Sequence, residues 1–139
     1  MKNLDEMQNI ICKLGNDCLA QKITFEQMAA ELAAMGVMRQ HYDCITNELS
    51  FYSKEQLIFS GRFEGLERTK ENGPWVLGES LDVKALEAAI KQFDQREIPT
   101  IKFHQKMFAA GVVFCLVFLQ KKNIYYFDQY GEYYLENYK

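Results

Sequence analysis

The sequence predicts an α+β fold built by internal duplication. Each copy is a helix-helix-β-hairpin unit (ααββ or ααβββ), and the two pack with pseudo-twofold symmetry around one core. Three observations predict it. The pattern running from Ile23-Thr24-Phe25 through Met35-Gly36-Val37 to Phe51-Tyr52-Ser53 recurs about seventy-five residues later. There it reads Ile98-Pro99-Thr100 through Ala110-Gly111-Val112 to Tyr126-Phe127-Asp128, so that Gly36 falls on Gly111 and Phe51 on Tyr126. In each copy apolar residues recur first at helical steps and then in short strand-like runs. Finally, two helices on a hairpin bury too little surface to stand alone, so the copies need a shared interior.

The elements follow in order. Leu4 to about Leu19 reads as a helix, with Leu4, Met7, Ile10, Ile11, Leu14 and Cys18 at three- and four-residue steps. Asp5 and Glu6 suit its first turn. Thr24 is placed as the N-cap of a second helix, with Gln27 as its capping-box partner and Gly36 as a left-handed stop. Val37 to Ile45 and Leu49 to Ser53 form a hairpin, and Gln56 to Ser60 adds a third strand. The second copy brings helices over Leu81–Gln95 and Thr100–Ala110, then strands over Val112–Leu119, Ile124–Asp128 and Tyr133–Tyr138. One domain over 1–139 is expected: repeat 1 about 4–60, a connecting loop about 61–79, and repeat 2 about 80–138. That connecting stretch lacks periodicity, but its island Trp75-Val76-Leu77 argues for docking onto the body.

The first long strand differs between the copies. Val112 to Leu119 is apolar on both faces, the mark of a strand covered on two sides. Phe114, Leu116 and Phe118 are therefore expected to be covered by the loop, by the other copy or by a second chain. That cover would contribute roughly 4.5 to 9 kcal/mol. In the first copy, Met38, Gln40, Tyr42 and Cys44 oppose Val37, Arg39, His41 and Asp43, so one face is polar.

Composition excludes several classes. A net charge of −3 and a mild acidic balance are the wrong sign for a generic nucleic-acid binder. The longest apolar run, Phe108 to Leu119, is too short to span a membrane, and the opening MKNLDEMQNI lacks the pattern of a signal peptide. The 4 cysteines show no CxxC pair and no zinc spacing with His41 or His104, which points to reduced thiols in a cytoplasm. No P-loop, nucleophile elbow or zincin motif is present.

Two residue sets are singled out. Arg39, His41 and Asp43 alternate along one strand, so Asp43 could orient His41 while Arg39 binds an anion; Trp75 and His104 are candidates for the same polar or ligand cluster. A solvated strand face, a core plug and a structural histidine are the bland alternatives. Phe114, Leu116 and Phe118 form a candidate interface, and the tyrosines from Tyr125 to Tyr138 read as sheet packing. No catalytic residue, metal or cofactor is assigned.

The segments AAMGVMRQHYDCITNELSFYS, LDVKALEAAIKQFDQREIPTIKFHQKMFAAGV and NIYYFDQYGEYYLE resemble the YdfO/YbcV-like family. These are small prophage-borne proteins of enteric bacteria, a domain of unknown function sometimes labelled phage envelope protein. The resemblance covers roughly Thr24 to Glu136 and implies an α+β fold with an internal duplication, but no established activity. The resulting expectation is a non-enzymatic cytoplasmic module, monomer or homodimer, that binds a host or phage protein and neither nucleic acid nor membrane. The alternative is a small-molecule-binding protein, or small enzyme, with a pocket between the repeats.

Overall fold

The computed structural model describes residues 2–139. It is an α+β structure of four helices and one six-stranded antiparallel sheet. Helix α1 spans Leu4–Leu19, capped by Asn3, whose side chain accepts from the Glu6 amide at 2.8 Å. Helix α2 spans Phe25–Ala34 behind a complete capping box: Thr24 Oγ1 accepts from the Gln27 amide, and Gln27 Oε1 accepts from the Thr24 amide. Strands β1 (Arg39–Asp43), β2 (Glu48–Tyr52) and β3 (Leu57–Gly61) follow. Helix α3 (Val83–Asp94) is capped by Asp82, helix α4 (Thr100–Ala109) starts at Pro99, and β4 (Phe114–Phe118), β5 (Asn123–Phe127) and β6 (Tyr133–Asn137) complete the chain.

The order of elements, two helices and then three strands, thus occurs twice. The strand order β3-β2-β1-β4-β5-β6 sets the two strand triplets side by side, joined at a β1–β4 seam. His41 pairs with Leu116 at the middle of that seam. The ladder continues past the strand ends, where the Cys44 amide donates to Val113 and the Leu119 amide to Met38.

Alternation along the strands then decides the layers. Tyr42, Leu49, Phe51, Cys115, Val117, Ile124 and Tyr126 are buried beneath the helices, with Ile11, Leu32, Leu86 and Met107 above them. One core runs across both halves. A bulge between Phe51 and Tyr52 lets Ile58 and Phe59 both turn toward it.

Phe114, Leu116 and Phe118 lie on the side away from the helices, and none of the described elements covers them. They are half-buried only because their strand neighbours crowd them: Phe118 meets Tyr125 edge-on at 5.8 Å and Phe114 lies 6.4 Å from Phe127. Neither the connecting loop nor the other copy supplies the expected cover, and lateral aromatic contact within the sheet does part of that job.

The connecting segment does dock. It passes through a short 3-10 turn at Glu64–Leu66, and Leu66 is fully buried. Asn72 then organises the bend, accepting from the Thr69 amide and from Trp75 Nε1 and donating to the Glu67 carbonyl. Trp75 lies edge-on to Phe108 at 6.4 Å, and the Arg68 guanidinium sits over both rings.

Gly36 and Gly111 both end a helix with positive φ, +92° and +93°. A Cβ at Gly36 would meet open space, whereas one at Gly111 would collide with the Ser80 carbonyl. Gly36→Ala should therefore destabilise by about 1–2 kcal/mol, the ordinary left-handed penalty. Gly111→Ala should destabilise by clearly more. Urea denaturation midpoints of the two variants test the ordering.

Candidate functional site

The sheet separates the residues singled out by sequence. Arg39, His41 and Asp43 share the uncovered face, as their alternation requires, while Trp75 and His104 belong to the helix side. Arg39 Nε donates to His41 Nε2 at 3.2 Å, and the Arg39 guanidinium lies over Tyr52. His41 packs between Tyr52 and Phe114. Burial and then the neighbouring Arg39 charge hold the His41 pKa below its ordinary value. Asp43 is engaged elsewhere: its Oδ1 accepts from the Ile45 and Thr46 amides and closes the β1–β2 turn. The imagined Asp–His pairing is replaced by an Asx turn, the commonest local use of an aspartate at a strand end.

The candidate interface joins this face directly, since the seam places Arg39 beside Phe118, His41 beside Leu116 and Asp43 beside Phe114. Tyr125, Phe127 and Tyr133 extend it, with Tyr125 stacked 6.0 Å from Phe127 and Tyr133 57% exposed. One half of the uncovered face is therefore aromatic and the other polar.

His104 stands on α4 with its ring edge-on to Tyr42 at 4.9 Å, under the helices. Burial, with a smaller contribution from the Arg68 charge, pushes its pKa down to about 3, so the ring is neutral at pH 7. It lines a cavity of about 130 Å³ between the two helix pairs and the sheet. The walls are aromatic and thioether-rich: Phe51, Phe93, Phe103, Tyr126, Met28 and Met107 all contribute. Among the described residues, six buried side-chain polar atoms lack a hydrogen-bond partner, and four of them belong to residues lining this cavity. They are Gln40 Oε1, Thr100 Oγ1, His104 Nδ1 and Tyr138 Oη. Gln40 and Thr100 are only 8% and 5% exposed.

The sheet's register explains the cavity floor. Gln40, Val117, Ile124 and Glu136 form one row across β1, β4, β5 and β6. The row begins at a buried amide and ends at a carboxylate that accepts from Tyr126 Oη at 2.5 Å. Glu136 shares its end of the cavity with Glu26 and Asp94, and all three also line a neighbouring depression of about 350 Å³ that exposed residues help to form. Burial, followed by the neighbouring carboxylates, raises the pKa of Glu136 against the lowering effect of its Tyr126 bond; burial and then Glu26 raise that of Asp94. These acids are too dispersed to chelate: among the described residues no three His, Cys, Asp or Glu side chains gather as a metal site.

Sequence reasoning named His104 but not Gln40, Thr100 or Glu136. The alternation that put Gln40 on the same side as Tyr42 and Cys44 was the available signal, because an amide between two buried residues needs a partner. No known protein family matches the chain, and no curated protein matches it. No helix among the described residues is long and apolar enough to cross a membrane.

The neutral His104 has a consequence for stability. Its folded pKa lies below the unfolded value, so its contribution is present above about pH 6.5 and is lost as pH falls toward 3. Between pH 7 and 5 the loss should be about 2 kcal/mol. His104→Gln, which cannot titrate, should flatten that part of the curve; denaturation midpoints at the two pH values provide the check.

Proposed function

We propose that this chain is a non-enzymatic small-molecule-binding protein whose ligand occupies the cavity between the helix pairs. The observation that carries the reading is the gathering of four unpartnered polar atoms onto one apolar cavity. Leaving such groups dry and unpaired costs about 1–3 kcal/mol each, so a site that keeps several of them is organised for something that pairs with them. An engineered cavity of about 150 Å³ admits benzene, which puts a single-ring ligand within reach of this one. Full chain titrated with indole should show saturable heat and a raised melting temperature. Absence of both would overturn the proposal.

A second reading rests on a different observation. The aromatic half of the uncovered sheet face supports a protein-interaction module, in keeping with the resemblance to prophage-borne proteins, whose partner would be a host or phage protein. Phe118 lies on the uncovered face and outside the core, so Phe118→Ser should leave the fold intact. It should abolish capture of a partner from a bacterial lysate, while Gln40→Leu should not. Capture indifferent to Phe118→Ser would remove this reading.

We also infer an internal duplication. The repeated order of elements supports it, and so does the seam: His41 pairs with Leu116, the residue that the repeat spacing makes its own counterpart. A local twofold axis between β1 and β4 requires such a self-pair. The cavity then lies where the two copies meet.

A further inference from the structure

We propose that the cavity selects a small aryl-alkyl amine carrying a hydrogen-bond donor on its ring, with the ring among the aromatic walls and the ammonium held at Glu136. This rests on reading the cavity as a ligand site and names the class of ligand. Three features of the floor and the mouth carry it.

The first is the sign of the charge at each end. Glu26, Asp94 and Glu136 line both the cavity and the outer depression, so a ligand passing between them meets three carboxylates. Arg96 and Lys139 line only the outer depression. At the inner end the Arg68 guanidinium bonds the Cys44 carbonyl and bears on His104 and Tyr42. Within the cavity a cation is thus repelled from the inner end and held among the three carboxylates, which repel an anion; Arg96 and Lys139 lie outside that stretch.

The second is the unsatisfied inner wall. Gln40 and Thr100 are more than nine-tenths buried, and Gln40 Oε1 and Thr100 Oγ1 have no partner. An amide oxygen can only accept, so it calls for a donor on the ligand. The four-strand row separates the Gln40 and Glu136 backbones by three strand spacings, roughly 14 Å. Both residues line the cavity, and between them Val117 and Ile124 provide an apolar bed for one ring.

The third is the nature of the walls. Phe25 and Tyr138 meet edge-on at 5.1 Å and Phe93 stacks on Phe103 at 4.7 Å, and all four line the cavity. Aromatic faces beside carboxylates favour an organic cation over a hydrated metal ion, because the rings attract its charge and also take up its apolar part. The Glu136 carboxylate retains acceptor capacity beyond its single Tyr126 bond.

The test is calorimetric titration of the full chain at neutral pH with four probes: tyramine, phenethylamine, phenethyl alcohol and hydrocinnamate. Phenethylamine should bind on the order of tenfold more tightly than the uncharged alcohol, as a charge-assisted hydrogen bond implies. Tyramine should bind more tightly still, and hydrocinnamate should not bind. Glu136→Gln should reduce the amines to the affinity of the alcohol while leaving the alcohol unchanged, which also shows that the cavity persists in the variant. Gln40→Leu should erase the advantage of tyramine over phenethylamine. Alcohol and amine binding equally would overturn the amine assignment and leave the cavity as a neutral site. No binding by any probe would overturn both, and amine affinity unmoved by Glu136→Gln would overturn the role given to that residue.

Discussion

The pairing of β1 with β4 is the constraint on which the rest of the structure depends. Each strand triplet alone is a narrow sheet, and the helices above reach across the halves: His104 of α4 packs on Tyr42 of β1, and Phe25 of α2 on Tyr138 beyond β6. Five paired positions along the seam, with a further backbone bond beyond each end, turn two narrow sheets into one wide one. The helix pairs are then held at a fixed separation over a continuous floor. The cavity is the space that the helices leave unfilled over that floor. The same pairing brings the polar strand of the first half against the apolar strand of the second, so the uncovered face is divided in character along the seam.

Much of this architecture was legible in the chain because it is locally encoded. The Thr24–Gln27 box, the two glycine stops and the switch from helical to alternating periodicity place elements through contacts a few residues long. The positions of Gln40, Thr100 and Glu136 around one space were not legible. They come from three different elements, and only the cross-strand register and the docking of α4 bring them together. Which cover Phe114, Leu116 and Phe118 receive was not legible for a related reason. Hydrophobicity reports that a side chain avoids water, but it does not say whether a neighbour beside it or a layer above it provides the shelter. Asp43 and His41 illustrate the same limit, since residues that share a face need not share a bond: the aspartate satisfies turn amides, and the histidine takes its hydrogen bond from Arg39.

The two faces of β1 show how one strand serves two environments. On one side Arg39 and His41 are tied to each other and to Tyr52. On the other, Tyr42 donates to Asn47, but Gln40 finds no acceptance partner for its oxygen. Packing around Gln40 is otherwise close, with Phe51 and Val117 paired to either side. The unsatisfied amide is therefore a local feature of the cavity wall and not a symptom of loose assembly. His104 and Thr100 belong to the same wall, contributed by α4, so residues of both layers bring polar groups to one largely apolar space.

The burial of the cysteines also sets how the chain responds to oxidants. Cys115 lies inside the core with its thiol 3.6 Å from the Met107 sulfur, and Cys18 is nearly as enclosed. Burial raises the pKa of both, to about 11 for Cys18, so neither forms appreciable thiolate at neutral pH. Cys44 is likewise shut away from solvent, and only Cys12 on α1 is partly accessible. Peroxide or an alkylating reagent would therefore meet one thiol on the folded chain and all four only after it opens, which makes sulfur reactivity a direct count of how much of the interior has come apart.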